Sequence, residues 1–96
     1  MNELDKLQNW LALSGYHFRR IDDWNRHQII VYANENRNEN EVLWDAICHR
    51  GSYGYEEGLL EIMGDIVDEE VVGDFVEGWL TAEEVVDRIK RSEERR

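Results

Sequence analysis

The sequence predicts an α+β domain: one N-terminal helix, a three-stranded antiparallel meander, then two C-terminal helices. Three observations predict it. Apolar residues recur at helical spacing near both ends of the chain. Strand-like alternation fills the stretch from Tyr16 to Ile47. The joints between the strand-like segments are short, which makes a meander the simplest connection.

Each element has its own signal. Leu4, Leu7 and Leu11, with Trp10 beside them, fall three and four residues apart, and Gly15 follows as a stop. A helix is therefore read over roughly Asn2 to Ser14. Tyr16, Phe18 and Arg20 alternate with His17, Arg19 and Ile21, a strand ended by Asp22 and Asp23. Asn25 and Arg26 read as a turn. The run Ile29-Ile30-Val31-Tyr32 is β-branched and aromatic throughout, as expected of a strand covered on both faces. An Asn-rich loop from Asn34 to Asn40 leads to a third strand, in which Val42, Trp44 and Ala46 alternate with Leu43, Asp45 and Ile47.

Gly51-Ser52-Tyr53-Gly54 breaks that pattern. Leu59, Ile62, Met63 and Ile66 then fall three and four apart, so a second helix is expected from about Tyr55 to Val67. Gly58 and Gly64 weaken it by about 1 kcal/mol each relative to Ala. Asp68 to Gly78 is acidic, with Val71, Val72, Phe75 and Val76 expected as anchors into the core. Thr81-Ala82-Glu83-Glu84 is a capping box and opens the last helix, with Ala82, Val85, Val86 and Ile89 on one face. Arg88, Lys90 and Arg91 near its end complement the macrodipole. Residues 91–96 are expected to fray. The chain has 96 residues, no internal repeat and no dividing linker, so 1–96 reads as a single domain.

Charge is the strongest functional signal. The net charge is −11, and from Gly51 to Asp87 there are twelve carboxylates with no Lys, Arg or His. A one-signed field costs stability through self-repulsion but speeds capture of a cationic partner. It repels nucleic-acid phosphates and anionic membranes, so neither is expected as a direct partner. Met1 to Trp10 is polar and mixed in charge and does not read as a signal peptide. The longest apolar run, Ile29 to Ala33, is too short to span a bilayer. With Cys48 the only cysteine, no internal disulfide can form. A cytoplasmic location in a bacterial host cell is expected.

On the expected second helix Glu57, Glu61, Asp65 and Asp68 share one face, and Glu69, Glu70 and Asp74 follow. Two readings stand. The face is simply solvated, or it imitates the phosphates of a nucleic acid and docks on a groove of Arg and Lys. Such docking weakens steeply with salt. Tyr53 and Tyr55, on a glycine-rich loop, are the aromatic candidates for anchoring that contact. Phe75 and Trp79 read either as core or as part of the same surface.

Chemistry of other kinds lacks a pattern. His17, His27, Cys48 and His49 show no zinc-ligand spacing, and Cys48 reads as a small buried side chain. Asp68 to Trp79 fails the calcium-loop pattern, because its fifth place is Val72 and its twelfth is Trp79. No nucleophile motif or phosphate loop is present, and no catalytic residue, cofactor or metal is expected.

The stretch Trp44-Asp45-Ala46-Ile47-Cys48-His49-Arg50-Gly51-Ser52-Tyr53-Gly54-Tyr55, its continuation Glu57-Gly58-Leu59-Leu60-Glu61-Ile62-Met63-Gly64, and Val76-Glu77-Gly78-Trp79-Leu80-Thr81-Ala82-Glu83-Glu84-Val85 resemble short acidic proteins of phages and mobile elements of Gram-positive, Clostridium-like bacteria. The likeness spans a little over half of the chain. That group has no assigned activity, so the resemblance implies a setting and transfers no functional residue. Small acidic phage proteins include inhibitors of host defence, among them anti-CRISPR proteins that occupy the DNA-reading groove of a nuclease. Such grooves read DNA with Arg side chains, for which carboxylates are the counterpart. The resulting expectation is a non-enzymatic protein, monomeric or homodimeric, that binds and inhibits a basic, nucleic-acid-binding host protein such as a CRISPR effector. The alternative is a homo-oligomeric structural or regulatory phage protein without mimicry.

Overall fold

The computed structural model describes residues 1–95. Two helices lie against one face of a five-stranded antiparallel sheet, whose strand order β1-β2-β3-β4-β5 follows the chain. The order of elements is α1 Glu3–Leu13, β1 His17–Asp23, β2 Arg26–Tyr32, β3 Val42–Ile47, β4 Leu60–Gly64, α2 Glu69–Val72, β5 Val76–Leu80 and α3 Ala82–Glu94. The α+β class stands, but the three-stranded meander with two C-terminal helices does not.

The difference lies in two adjoining segments, which form β4 and β5. Where a helix was expected over Tyr55 to Val67, a single 3₁₀ turn at Tyr55–Glu57 precedes strand β4. Leu60 and Ile62 are buried while Glu61 and Met63 face away from the core, which is period two. A short apolar run satisfies both periods, and here tertiary pairing decides. Gly58 and Gly64 take φ of 73° and 123°, outside any right-handed helix. A side chain at Gly64 would meet the Leu43 carbonyl oxygen at 2.5 Å, so β3 and the end of β4 approach closely only because it is glycine. The acidic segment beyond also pairs: Val76–Leu80 adds to β4 as the edge strand, with Met63 opposite Val76 and Leu60 opposite Leu80.

The ends of the chain fold as their caps dictate. Asn2 accepts from the Asp5 amide at 2.8 Å and Thr81 from the Glu84 amide at 3.2 Å, each with the reciprocal bond from the capping-box carboxylate. Leu4, Leu7 and Leu11 of α1 and Ala82, Val85 and Ile89 of α3 are buried with Ile29, Val31, Trp44, Ala46, Leu60 and Ile62 from the sheet. The Glu3 carboxylate accepts the Ala82 amide at 2.8 Å and so ties the two helix starts together. Helix α3 continues through Glu94, so Arg91 to Glu94 are helical where fraying was expected. The part of that expectation concerning Arg96 lies outside the described residues.

The register places Ile30, Asp45, Met63 and Val76 in one row on the sheet face away from the helices. Asp45 sits in mid-row and accepts from Gln28 Nε2 at 2.7 Å. Burial pushes its carboxyl above the ordinary range.

Candidate partner-binding site

The residues expected to contact a partner fall into two groups, one at each end of the β4–β5 pair. Tyr53, Tyr55, Glu57 and Glu61 gather where the loop after β3 crosses the end of β5. Asp65, Asp68, Glu69, Glu70 and Asp74 lie in the connection from β4 to β5. The length of β4, about 13 Å at strand rise, separates them. The single acidic helix face expected from Glu57, Glu61, Asp65 and Asp68 does not form, because β4 intervenes.

The first group is built on a tightly bonded loop. Ser52 Oγ donates to the His49 carbonyl at 2.7 Å, and the Leu59 amide donates to the Gly54 carbonyl at 2.9 Å. The Tyr53 amide donates to Glu61 Oε1 at 3.0 Å, and the Trp79 amide donates to the Tyr53 carbonyl at 3.3 Å. These bonds clamp the loop to both β4 and β5. Two glycines permit the approach. A side chain at Gly78 would meet Tyr53 Cβ at 2.3 Å, and one at Gly54 would meet Leu59 Cβ at 2.9 Å.

The Tyr53 and Trp79 rings then stack, with centroids 5.2 Å apart and planes 24° from parallel. Both remain more than half exposed, at 55% and 56%. Trp79 holds φ of +57°, a left-handed conformation that costs a bulky residue about 1–2 kcal/mol. A cleft of about 550 Å³ opens beside the pair, bounded also by Arg50, Tyr55, Glu56 and Glu57.

The second group is more open. Glu69 and Glu70 form the first half of the short helix α2 and are exposed, as is Asp74, whose Oδ1 accepts the Phe75 amide at 2.7 Å. Among the described residues none of these three enters an ion pair. Asp68 meets Arg95 at 3.6 Å. Asp65 is exposed in the turn after β4. Val71 and Phe75 are 78% and 60% exposed, so they are not the core anchors expected. Val72 packs partly against the core, and Val76 is half-buried in β5.

Two of the remaining acids of the block, Glu77 and Asp87, are answered from α3. Arg88 grips Glu77 with two bonds of 2.9 Å and meets Asp87 at 3.0 Å, and Arg91 reaches Asp87 at 3.0 Å. Reading by sequence missed Glu56 and Arg50 as parts of the cleft and left Trp79 undecided between core and surface. The pairing of Tyr53 with Trp79 has no local signal, since it depends on how β5 enters the sheet.

Among the described residues, no three or more His, Cys, Asp or Glu side chains are grouped to hold a metal. Cys48 is half-buried, and burial pushes its thiol up, away from a nucleophilic thiolate. Among the described residues no helix is long and apolar enough to cross a membrane. No protein-family model, curated protein or solved structure matches the chain.

Proposed function

We propose that this protein is a binding module for a cationic protein surface, and that the partner is a nucleic-acid-binding protein whose basic groove it occupies. One observation carries the reading. Among the described residues Glu69, Glu70 and Asp74 stand in solvent without a cation, while Val71 and Phe75 are exposed beside them. Surface acids placed only for solubility need no exposed Phe beside them. A carboxylate array interleaved with apolar anchors fits a basic protein groove that also has an apolar wall. The first group, Tyr53, Tyr55, Glu57 and Glu61 at the far end of β5, extends the same footprint along the edge strand. Inhibition follows from occupancy, because a groove filled with carboxylates is closed to phosphates.

Capture from a bacterial lysate with and without excess duplex DNA tests this. The expected result is retention of nucleic-acid-binding proteins at about 50 mM salt, their loss at about 200 mM, and their displacement by the duplex. Retention that neither salt nor duplex changes would remove the groove-occupying role. A salt-insensitive homodimer buried through the same acids would favour the oligomer instead.

A further inference from the structure

The cleft at the end of β5 has features that a merely solvated loop does not need. Its floor is an exposed Tyr–Trp stack held by a strained backbone at Trp79. Its loop is fixed by hydrogen bonds on both sides, so little conformational freedom remains to be lost on binding. Glu56 and Glu57 stand exposed at its wall, and among the described residues neither is engaged in an ion pair. Arg50 is the one base of the lining, which leaves the formal charge of the cleft at −1.

We infer that this cleft seats an arginine side chain of the partner, with the guanidinium over the Tyr53–Trp79 rings and its edge toward Glu56 and Glu57. The inference rests on the reading of the protein as a binder of a cationic partner and names the side chain that partner must present. Trp is the strongest cation–π acceptor among side chains, and Tyr is next to it here. A guanidinium is planar, weakly hydrated and able to stack while its N–H fork meets carboxylates. An ammonium does only part of this, because it is compact and strongly hydrated. The field of a chain at −11 disfavours a nucleotide as the occupant, even with Arg50 at the rim. The cleft of about 550 Å³ has ample room for the guanidinium and its stem.

Two capped peptides, hexa-arginine and hexa-lysine, separate ring recognition from plain charge. Each is titrated into the ¹⁵N-labelled protein at low salt while the backbone amides of Arg50 to Glu57 are followed in the parent and the variants, with the Trp79 indole N–H as a further signal in the parent. Hexa-arginine should move those signals and bind about tenfold tighter than hexa-lysine. Trp79→Ala should remove most of the arginine preference and leave hexa-lysine binding within about twofold. Trp79→Gly should act alike, and it relaxes the left-handed φ, so it guards against loss of fold as the cause. Equal binding of the two peptides, or a preference that survives both variants, overturns the cleft assignment and leaves the cationic-partner reading standing. Absence of binding by either peptide overturns both. A larger Trp79 shift with AMP than with hexa-arginine reassigns the cleft to a nucleobase.

Discussion

The two halves of the acidic block differ in what answers their charge. Glu77 faces α3 and Asp87 lies on it, and Arg88 and Arg91 of the same helix neutralise them. Glu69, Glu70 and Asp74 lie only a short way from Glu77 in the chain, yet among the described residues they meet no cation. A run of acids in a sequence is therefore not one surface. The bases after Asp87 look like a separate basic tail when read along the chain. Folded, they return to the sheet edge and cancel one part of the block. The part left bare is the part with exposed apolar neighbours, which is why we assign it to a partner.

This contrast can be broken from its strong side. Arg88→Ala removes a two-bond partner from Glu77, and the two side chains are only 21% and 17% exposed. It leaves a half-buried carboxylate unpaired, at a cost of about 2 kcal/mol in urea unfolding. Glu77→Ala should cost a similar amount, and the double variant less than the sum, since the two share one interaction. Additive losses would mean that the pair is not what holds β5 to α3. A smaller effect is expected at Asp68→Asn, whose contact with Arg95 is long and more exposed. That change should stay under about 1 kcal/mol.

Acid titration sharpens the contrast further. Glu3 is held below the ordinary carboxylate range by the Ala82 amide and then by Lys6, and Asp22 chiefly by His27. Their stabilisation is present at neutral pH and is lost as pH falls through their lowered values. Asp45 has the opposite sign: its raised carboxyl withholds stability at neutral pH and returns it as pH falls. Asp45→Asn keeps an acceptor for Gln28. It should raise the Tm near pH 7 by the equivalent of under about 1 kcal/mol, with the gain vanishing on acidification. A variant less stable than the parent at neutral pH would show that the carboxylate is favourably solvated there.

How much of this was legible in the sequence follows from where the signals are local. α1 and α3 each have a cap, a stripe and a stop or charge bias within about one turn of each end, so reading them needs no tertiary knowledge. β1 and β2 carry alternation or a β-branched run. β4 was misread because Leu59, Ile62, Met63 and Ile66 satisfy a helix as well as Leu60 and Ile62 satisfy a strand. The left-handed φ at Gly58 and Gly64 that excludes the helix belongs to the fold, not to the residue names. β5 was unreadable for a similar reason: Glu77 is tolerated there because Arg88, nearly two turns into α3, meets it. The acidic character of the site was plain from composition. Its division into two groups, and the Tyr53–Trp79 stack, exist only once β4 and β5 pair.

The central claim is that the bare carboxylates dock on a cationic partner. The most direct test is the salt dependence of affinity for a captured partner, measured for the parent and for the Glu69→Lys/Glu70→Lys/Asp74→Lys variant. The account predicts that the parent's log affinity falls linearly with log salt, and that the variant loses both the affinity and most of the slope while unfolding at an unchanged or higher urea concentration. A variant that binds with the parent's affinity and slope would contradict it.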